Sequence, residues 1–196
     1  MDTTRTYGDY TVVALSGETW ELFAELVERN NGVYGGCWCI GFHLERKTPG
    51  LDHRAEKERL VRAGEAHAAL VLDADGVCQG WAQYGSPDEL PEIKHAREYR
   101  KDEPPRPDWR ITCVFTDSKH RMQGVARAAV EGALDLIADA GGGLVEAISE
   151  TTAGRTAQGR FLFSATAELM ADLEFAQVRQ VGKHAWILQR EVAAAS

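Results

Sequence analysis

A chain of 196 residues has room for one hydrophobic core, or at most two small domains. Hydrophobic content of 44% and charged content of 27% are those of a soluble globular protein, and a formal net charge of −8 argues against nonspecific nucleic-acid binding. No stretch approaches a membrane span, the polar start Met1-Asp2-Thr3-Thr4-Arg5 is no signal peptide, and four cysteines without such a signal point to reduced thiols in a cytoplasm.

In chain order, Tyr10 to Leu15 reads as a first strand, and Ser16 or Thr19 is placed to cap the helix after it. Trp20, Phe23, Leu26 and Val27 give that helix an apolar stripe, and Asn30-Asn31-Gly32 end it. Gly35 to His43 alternates glycines with large aromatics and fits neither helix nor strand. Arg54 to Ala63 reads as a second helix, with Leu60 and Val61 inward. His67 to Tyr84 is a hairpin about Asp73-Ala74-Asp75-Gly76, since Asp-Gly tolerates the positive φ of the turn. Gly85 to Asp108 holds five of the six prolines and reads as an exposed connection with a short helix around Ile93 to Tyr99. Arg110 to Thr116 is a strand rich in β-branched and aromatic residues. Val130, Ala133, Leu134 and Ile137 mark a helix that Gly141-Gly142-Gly143 stop. A strand from Leu144 to Ile148, a helix from about Phe161 to Leu173, and two strands, Phe175 to Val181 and His184 to Val192, complete the order. The central strand–helix–strand implies a parallel pair and the hairpins imply antiparallel neighbours. The expected fold is α/β with a mixed, mostly antiparallel sheet and helices on both faces, one domain over residues 1–192 and a disordered tail over 193–196.

The central unit carries the chemistry. Between its strand and its helix lies Arg121-Met122-Gln123-Gly124-Val125-Ala126, with Arg127 next. A glycine at the start of a helix aims unpaired N–H groups and the positive dipole end at one point, where a phosphate or pyrophosphate fits. The loop lacks GxxxxGK[ST] and GxGxxG, so neither a P-loop nor a dinucleotide fingerprint explains it. What remains, R-x-x-G-x-A after a hydrophobic strand, resembles the pyrophosphate loop of the GNAT N-acetyltransferase superfamily, and the element order is similar to that superfamily's over roughly Tyr10 to Arg190. The GGCWC segment before the second helix resembles that of a bacterial branch of the same superfamily.

That resemblance implies a splayed central pair of strands, Arg110–Thr116 and Leu144–Ile148, with acetyl-CoA as co-substrate between them. Val114, Phe115 and Thr116 would offer backbone groups to the pantetheine arm. Arg121, Met122, Gln123, Gly124, Val125, Ala126 and Arg127 would hold the pyrophosphate. The implied activity is direct transfer of acetyl to a primary amine of a small molecule or peptide, by a cytoplasmic monomer or homodimer without nucleic-acid or membrane partners. The alternative is a GNAT fold that binds acyl-CoA for regulation with reduced turnover. The superfamily's usual proton donor is a tyrosine on the last helix, where this chain has Met170, and a thioether donates no proton. An early glutamate that serves some relatives is Arg110 here. Asp108, Glu146 and Glu150 are carboxylates near strand ends that could serve instead, but each reads first as an ordinary surface charge, so no catalytic residue is assigned. Acceptor sites in this superfamily are built near the first two helices, which nominates Trp38 and Phe42; covering the sheet is an equally good role for both. Cys37-Trp38-Cys39 with His43 suggests a metal, but a gap of one residue is too short for a zinc pair and no metal is expected.

Overall fold

The computed structural model describes residues 4–154 and 163–196. Its first feature was not expected from the sequence. Arg5–Tyr7 (β1) pairs antiparallel with Tyr10–Ala14 (β2) about Gly8, so the sheet begins one strand earlier. Trp20–Arg29 (α1) follows and buries Trp20, Phe23, Leu26 and Val27. Neither Ser16 nor Thr19 caps this helix. Their side chains bind each other's turn instead, and the Thr19 hydroxyl donates to Ala14 O at 2.7 Å. His53–Ala63 (α2) is capped by Asp52, which accepts from Ala55 N at 3.0 Å, and ends at Gly64 in the left-handed region.

His67–Leu72 (β3) and Cys78–Gly85 (β4) form the hairpin, its turn closed by Asp73 accepting from the N–H groups of Asp75 and Val77. The proline-rich connection carries one short helix, Ala96–Tyr99 (α3). Trp109–Thr116 (β5), Val125–Asp139 (α4) and Gly143–Glu150 (β6) make the central unit. Ala167–Asp172 (α5), Ala176–Gln180 (β7) and Ala185–Val192 (β8) complete the chain. The expected start of the last helix at Phe161 lies outside the described residues; within them the helix begins at Ala167, where Thr166 accepts from Leu169 N at 3.1 Å.

The eight strands form one sheet in the order β1-β2-β3-β4-β5-β6-β8-β7, parallel between β5 and β6 and antiparallel elsewhere. Alternation along the strands divides the core in two. On one face α4 and α5 pack on residues such as Val12, Val71, Ile111 and Leu188; on the other α1 and α2 cover Val13, Leu70, Trp81 and Phe115. Helix α4 sits close: a Cβ at Gly132 would lie 2.5 Å from Val12 Cγ1.

Two irregularities coincide at the middle of the sheet. Gln83 pairs with Cys113 but Tyr84 pairs with Ile111, so Thr112 is an extra residue that bulges β5. The ladder between β5 and β6 stops at the pair Ile111 and Ala147, beyond which the strands part. Residues 163–166 enter the gap. Phe163 O accepts from Val114 N at 2.6 Å, Ser164 O accepts from Ser149 Oγ at 2.8 Å, and Thr166 bridges to Glu150. Among the described residues no helix is long and apolar enough to cross a membrane.

Candidate active site

The loop after β5 is built to leave a helix end open. Asp117 accepts from Lys119 N at 3.0 Å and closes a single turn of 3₁₀ helix, Ser118–His120. Asp117 is also held by Arg29 Nε at 3.0 Å and Asn30 Nδ2 at 3.2 Å, which ties the loop to the end of α1. Burial works against its charge, but these donors outweigh it and keep the carboxyl below the usual aspartate range. The chain then turns through Met122 (φ 60°) and Gly124 (φ 91°) into α4. No side chain caps this helix, whereas Asp52 and Thr166 cap α2 and α5. Its first N–H groups are therefore available to an anion.

This end opens onto a groove of about 840 Å³ that Val114, Phe115 and Thr116 line from β5, and Arg121, Met122, Gly124, Val125, Ala126 and Arg127 from the loop. Of the residues nominated for the acyl-CoA donor, only Gln123 is not on its wall; its amide instead donates to Lys119 O at 3.2 Å. A Cβ at Gly124 would meet nothing closer than Tyr10 Cε2 at 4.0 Å, so glycine serves backbone conformation and open approach rather than core packing. Arg121 is exposed and forms no ion pair among the described residues, while Arg127 is engaged by Asp172 at 2.8 Å.

A second cavity, of about 280 Å³, lies at the splay on the α1/α2 side. Phe42 lines it, together with Cys37, Cys39 and Cys113. Trp38 is placed elsewhere: it is 8% exposed, stacked on Trp20 at 6.1 Å and covered by Arg54, with its role in the sheet's apolar cover. Tyr34, which sequence reasoning passed over, borders both the groove and the cavity. Its ring meets those of Phe115 and Phe163 edge-on, at 6.2 and 5.9 Å between centroids, while the residue stays exposed. Nothing local in the sequence marks Tyr34; it lies between Gly32 and Gly35-Gly36, and its position depends on where those turns fold back.

One carboxylate differs from expectation. Glu146 is no surface charge: it is 1% exposed, accepts from Tyr99 Oη at 3.0 Å and Gln189 Nε2 at 3.1 Å, and faces Arg110 at 3.5 Å. Burial pushes its carboxyl up against the pull of those partners. The reason is its register opposite Gln189 on β8, which puts a strand-interior carboxylate under the proline-rich connection. Asp108 accepts from Leu144 N at 2.8 Å and Glu150 pairs with Lys94 at 3.1 Å. Met170 is buried in the core and faces neither space. Among the described residues no group of three or more His, Cys, Asp or Glu could hold a metal ion.

The family model for the acetyltransferase (GNAT) family matches residues 38–162. Solved structures of similar fold include one from Corynebacterium glutamicum described as histone acetyltransferase HPA2 and related acetyltransferase. It is 17% identical, with a TM-score of 0.55 over 96% of this chain and 99% of that one. Another is a ribosomal-protein-S5-alanine acetyltransferase from Vibrio fischeri, at 14% identity and TM-score 0.54 over 97% of each chain. A third is a phosphinothricin acetyltransferase from Sinorhizobium meliloti in complex with AcCoA, at 12% identity and TM-score 0.52 over 94% of this chain and 89% of that one. At such identities these likenesses are of fold. No curated protein matches the chain. The family model spans the segment from the cysteine pair through the loop to the far side of β6, and the chain belongs to the acetyltransferase (GNAT) family.

Proposed function

We propose that the chain is an N-acetyltransferase that moves an acetyl group from acetyl-CoA to a primary amine of a small molecule or peptide by direct attack, in the cytoplasm, as a monomer or homodimer. The observation that carries this reading is the groove. It begins at an uncapped helix end shaped by Gly124 and runs along Val114–Thr116, the part of β5 beyond its last pair with β6 at Ile111 and Ala147. Pyrophosphate at the helix end and a pantetheine arm along the strand edge fit that sequence of donors. The thioester would then lie at the splay, beside the cavity. In that pose the N–H of Val114 exchanges Phe163 O for the arm.

The test is calorimetric titration with acetyl-CoA. The unmodified protein binds, and Gly124→Trp does not, because the indole fills the approach to the helix end. The substitution also places a side chain at φ 91°, so Arg121→Glu, which strains no backbone, is measured beside it and weakens binding by about tenfold or more. A protein that binds no acetyl-CoA loses this function. The second reading, acyl-CoA binding with reduced turnover, is favoured by the burial of Met170 and by Arg110 standing beside Glu146. Binding without acetylation of any amine would establish it.

A further inference from the structure

Transfer of acetyl from a thioester to an amine leaves a thiolate on the donor and a surplus proton on the nitrogen, so a group that carries a proton between them speeds the reaction. Such a group has to reach the sulfur where the donor's arm passes from the groove to the cavity. Among the described residues one side chain, that of Tyr34, lines both spaces. Its ring stands against Phe115 on the groove wall and Phe163 on the cavity wall, and Phe163 O accepts from Val114 N. Tyr34 is therefore beside the strand position at which the arm ends. Its hydroxyl makes no hydrogen bond among the described residues, and the residue is 45% exposed.

The backbone is shaped to present this ring. Residues 31–36 all lie at positive φ, and Asn31, Val33 and Tyr34 (φ 55°, 51° and 47°) carry side chains there. Gly36 N and Cys37 N donate to Val33 O at 3.1 and 2.9 Å, and His53 of α2 meets Gly36 O through Nδ1 at 2.8 Å. The turn buries Val33 in the core under α1 and leaves Tyr34 outside it. Conformations of this kind persist where the surroundings fix them, and they gather at sites that work on a ligand.

Other proton carriers are placed less well. Met170 is in the core, and a thioether has no proton to give. Cys37, Cys39 and Cys113 line the cavity alone, and Cys39 gives its hydrogen to Gln83 Oε1. Lys57 lines neither space: it is 1% exposed, and its ammonium meets His43 Nε2 at 3.3 Å, to which Gln83 Nε2 also donates at 2.8 Å. On the cavity rim Glu92 is engaged by Lys47 and Lys94 by Glu150. A phenol is protonated throughout the neutral range and exchanges its proton with a thiolate.

We propose that Tyr34 is the catalytic acid of the transfer, its hydroxyl protonating the sulfur of CoA as the acetyl group leaves. This rests on the acetyl-CoA reading of the groove. The acceptor nitrogen, neutral when it attacks, forms the C–N bond; the carbon–sulfur bond breaks and its electron pair stays on sulfur. Tyr34 Oη gives its proton to that sulfur. The phenolate then takes the surplus proton from nitrogen, directly or through water, so the phenol is restored and the products are the acetylated amine and the CoA thiol.

The test uses the full chain, calorimetry, and the single-turnover rate of acetylation of 2-phenylethylamine, spermidine, kanamycin and a tetrapeptide with a free N-terminus. Tyr34→Phe keeps the ring and binds acetyl-CoA with unchanged affinity, but its rate with the best of these amines falls about a hundredfold. It also binds CoA about threefold or more weakly than the unmodified protein does, whereas desulfo-CoA, which offers no sulfur, binds both alike. Replacing Tyr34 by 2,3,5-trifluorotyrosine, a stronger acid of similar size, brings an alkaline fall in rate to lower pH, which a packing role would not do. An unchanged rate in Tyr34→Phe, or a trifluorotyrosine profile that coincides with the unmodified one, overturns the proposal. Equal affinity of both proteins for CoA overturns the contact with sulfur, and loss of acetyl-CoA binding in Tyr34→Phe makes Tyr34 a binding residue instead. Acetyl-CoA binding without acetylation of any of the amines overturns the proposal and leaves the groove standing. Absence of acetyl-CoA binding by the unmodified protein overturns the groove reading first, and this one with it.

Discussion

At the scale of single residues, His43 shows how environment outweighs type. An imidazole in water titrates near 6.5, whereas here burial and then Lys57 bring it to about 3. The folded state therefore binds this proton less readily than the unfolded chain. Stability contributed by neutral His43 is complete above about 6.5 and declines as pH falls from there toward about 3. In His43→Gln, which keeps an acceptor for Lys57, urea midpoints between those pH values should fall less steeply than in the unmodified protein. An identical slope would mean that His43 is not the titrating group. Phe42 was legible as a pocket residue near the first two helices. The burial of Lys57 was not, because a charged residue on an amphipathic helix reads as solvated until the packing shows which face it occupies.

At the scale of elements, capped and uncapped helix ends respond differently to substitution. Thr166 caps α5 through Leu169 N, so Thr166→Ala should lower stability by about 1 kcal/mol in thermal or urea unfolding. Helix α4 has no such cap, and replacing Gly124 there should cost little core packing, since a Cβ would meet nothing closer than 4.0 Å. Its middle is different. Gly132→Leu would drive a side chain into Val12, and overpacking of this kind costs about 1–3 kcal/mol. A Gly132→Leu protein with unchanged thermal stability would show that α4 can lift from β2 freely. The bulge at Thr112 belongs to the same scale: one extra residue re-aims β5 at the place where it leaves β6, placing Ile111 toward α4 and Cys113 toward α1.

At the scale of the whole molecule, two spaces lie next to β5 and share Tyr34. The groove lies at the start of α4 and the cavity lies under the segment between α1 and α2, with Tyr34 bordering both. A ligand that binds only the folded state raises apparent stability, by about 2.7 kcal/mol at a hundred times its dissociation constant. Saturating acetyl-CoA should therefore raise the melting temperature of the unmodified protein and leave that of Gly124→Trp unmoved. An equal shift in both would place the ligand outside the groove.

Much of this architecture followed from local pattern. The apolar stripe of α1, the Asp-Gly hairpin, the switch from β-branched strand to helix around Gly124 and the triple glycine after α4 are short-range signals, because backbone conformation and one-sided burial act over a few residues. The open start of α4 was legible for the same reason: its N–H groups are consecutive in one segment. The N-terminal strand was missed because three residues carry too little alternation to register. The burial of Glu146, the inward turn of Trp38, and the meeting of Cys39, His43, Lys57, Gln83 and Cys113 came only with the tertiary fold. Those groups are far apart in sequence, and their proximity depends on strand register, on one bulge and on two left-handed residues, Trp38 and Cys39, that no periodicity encodes.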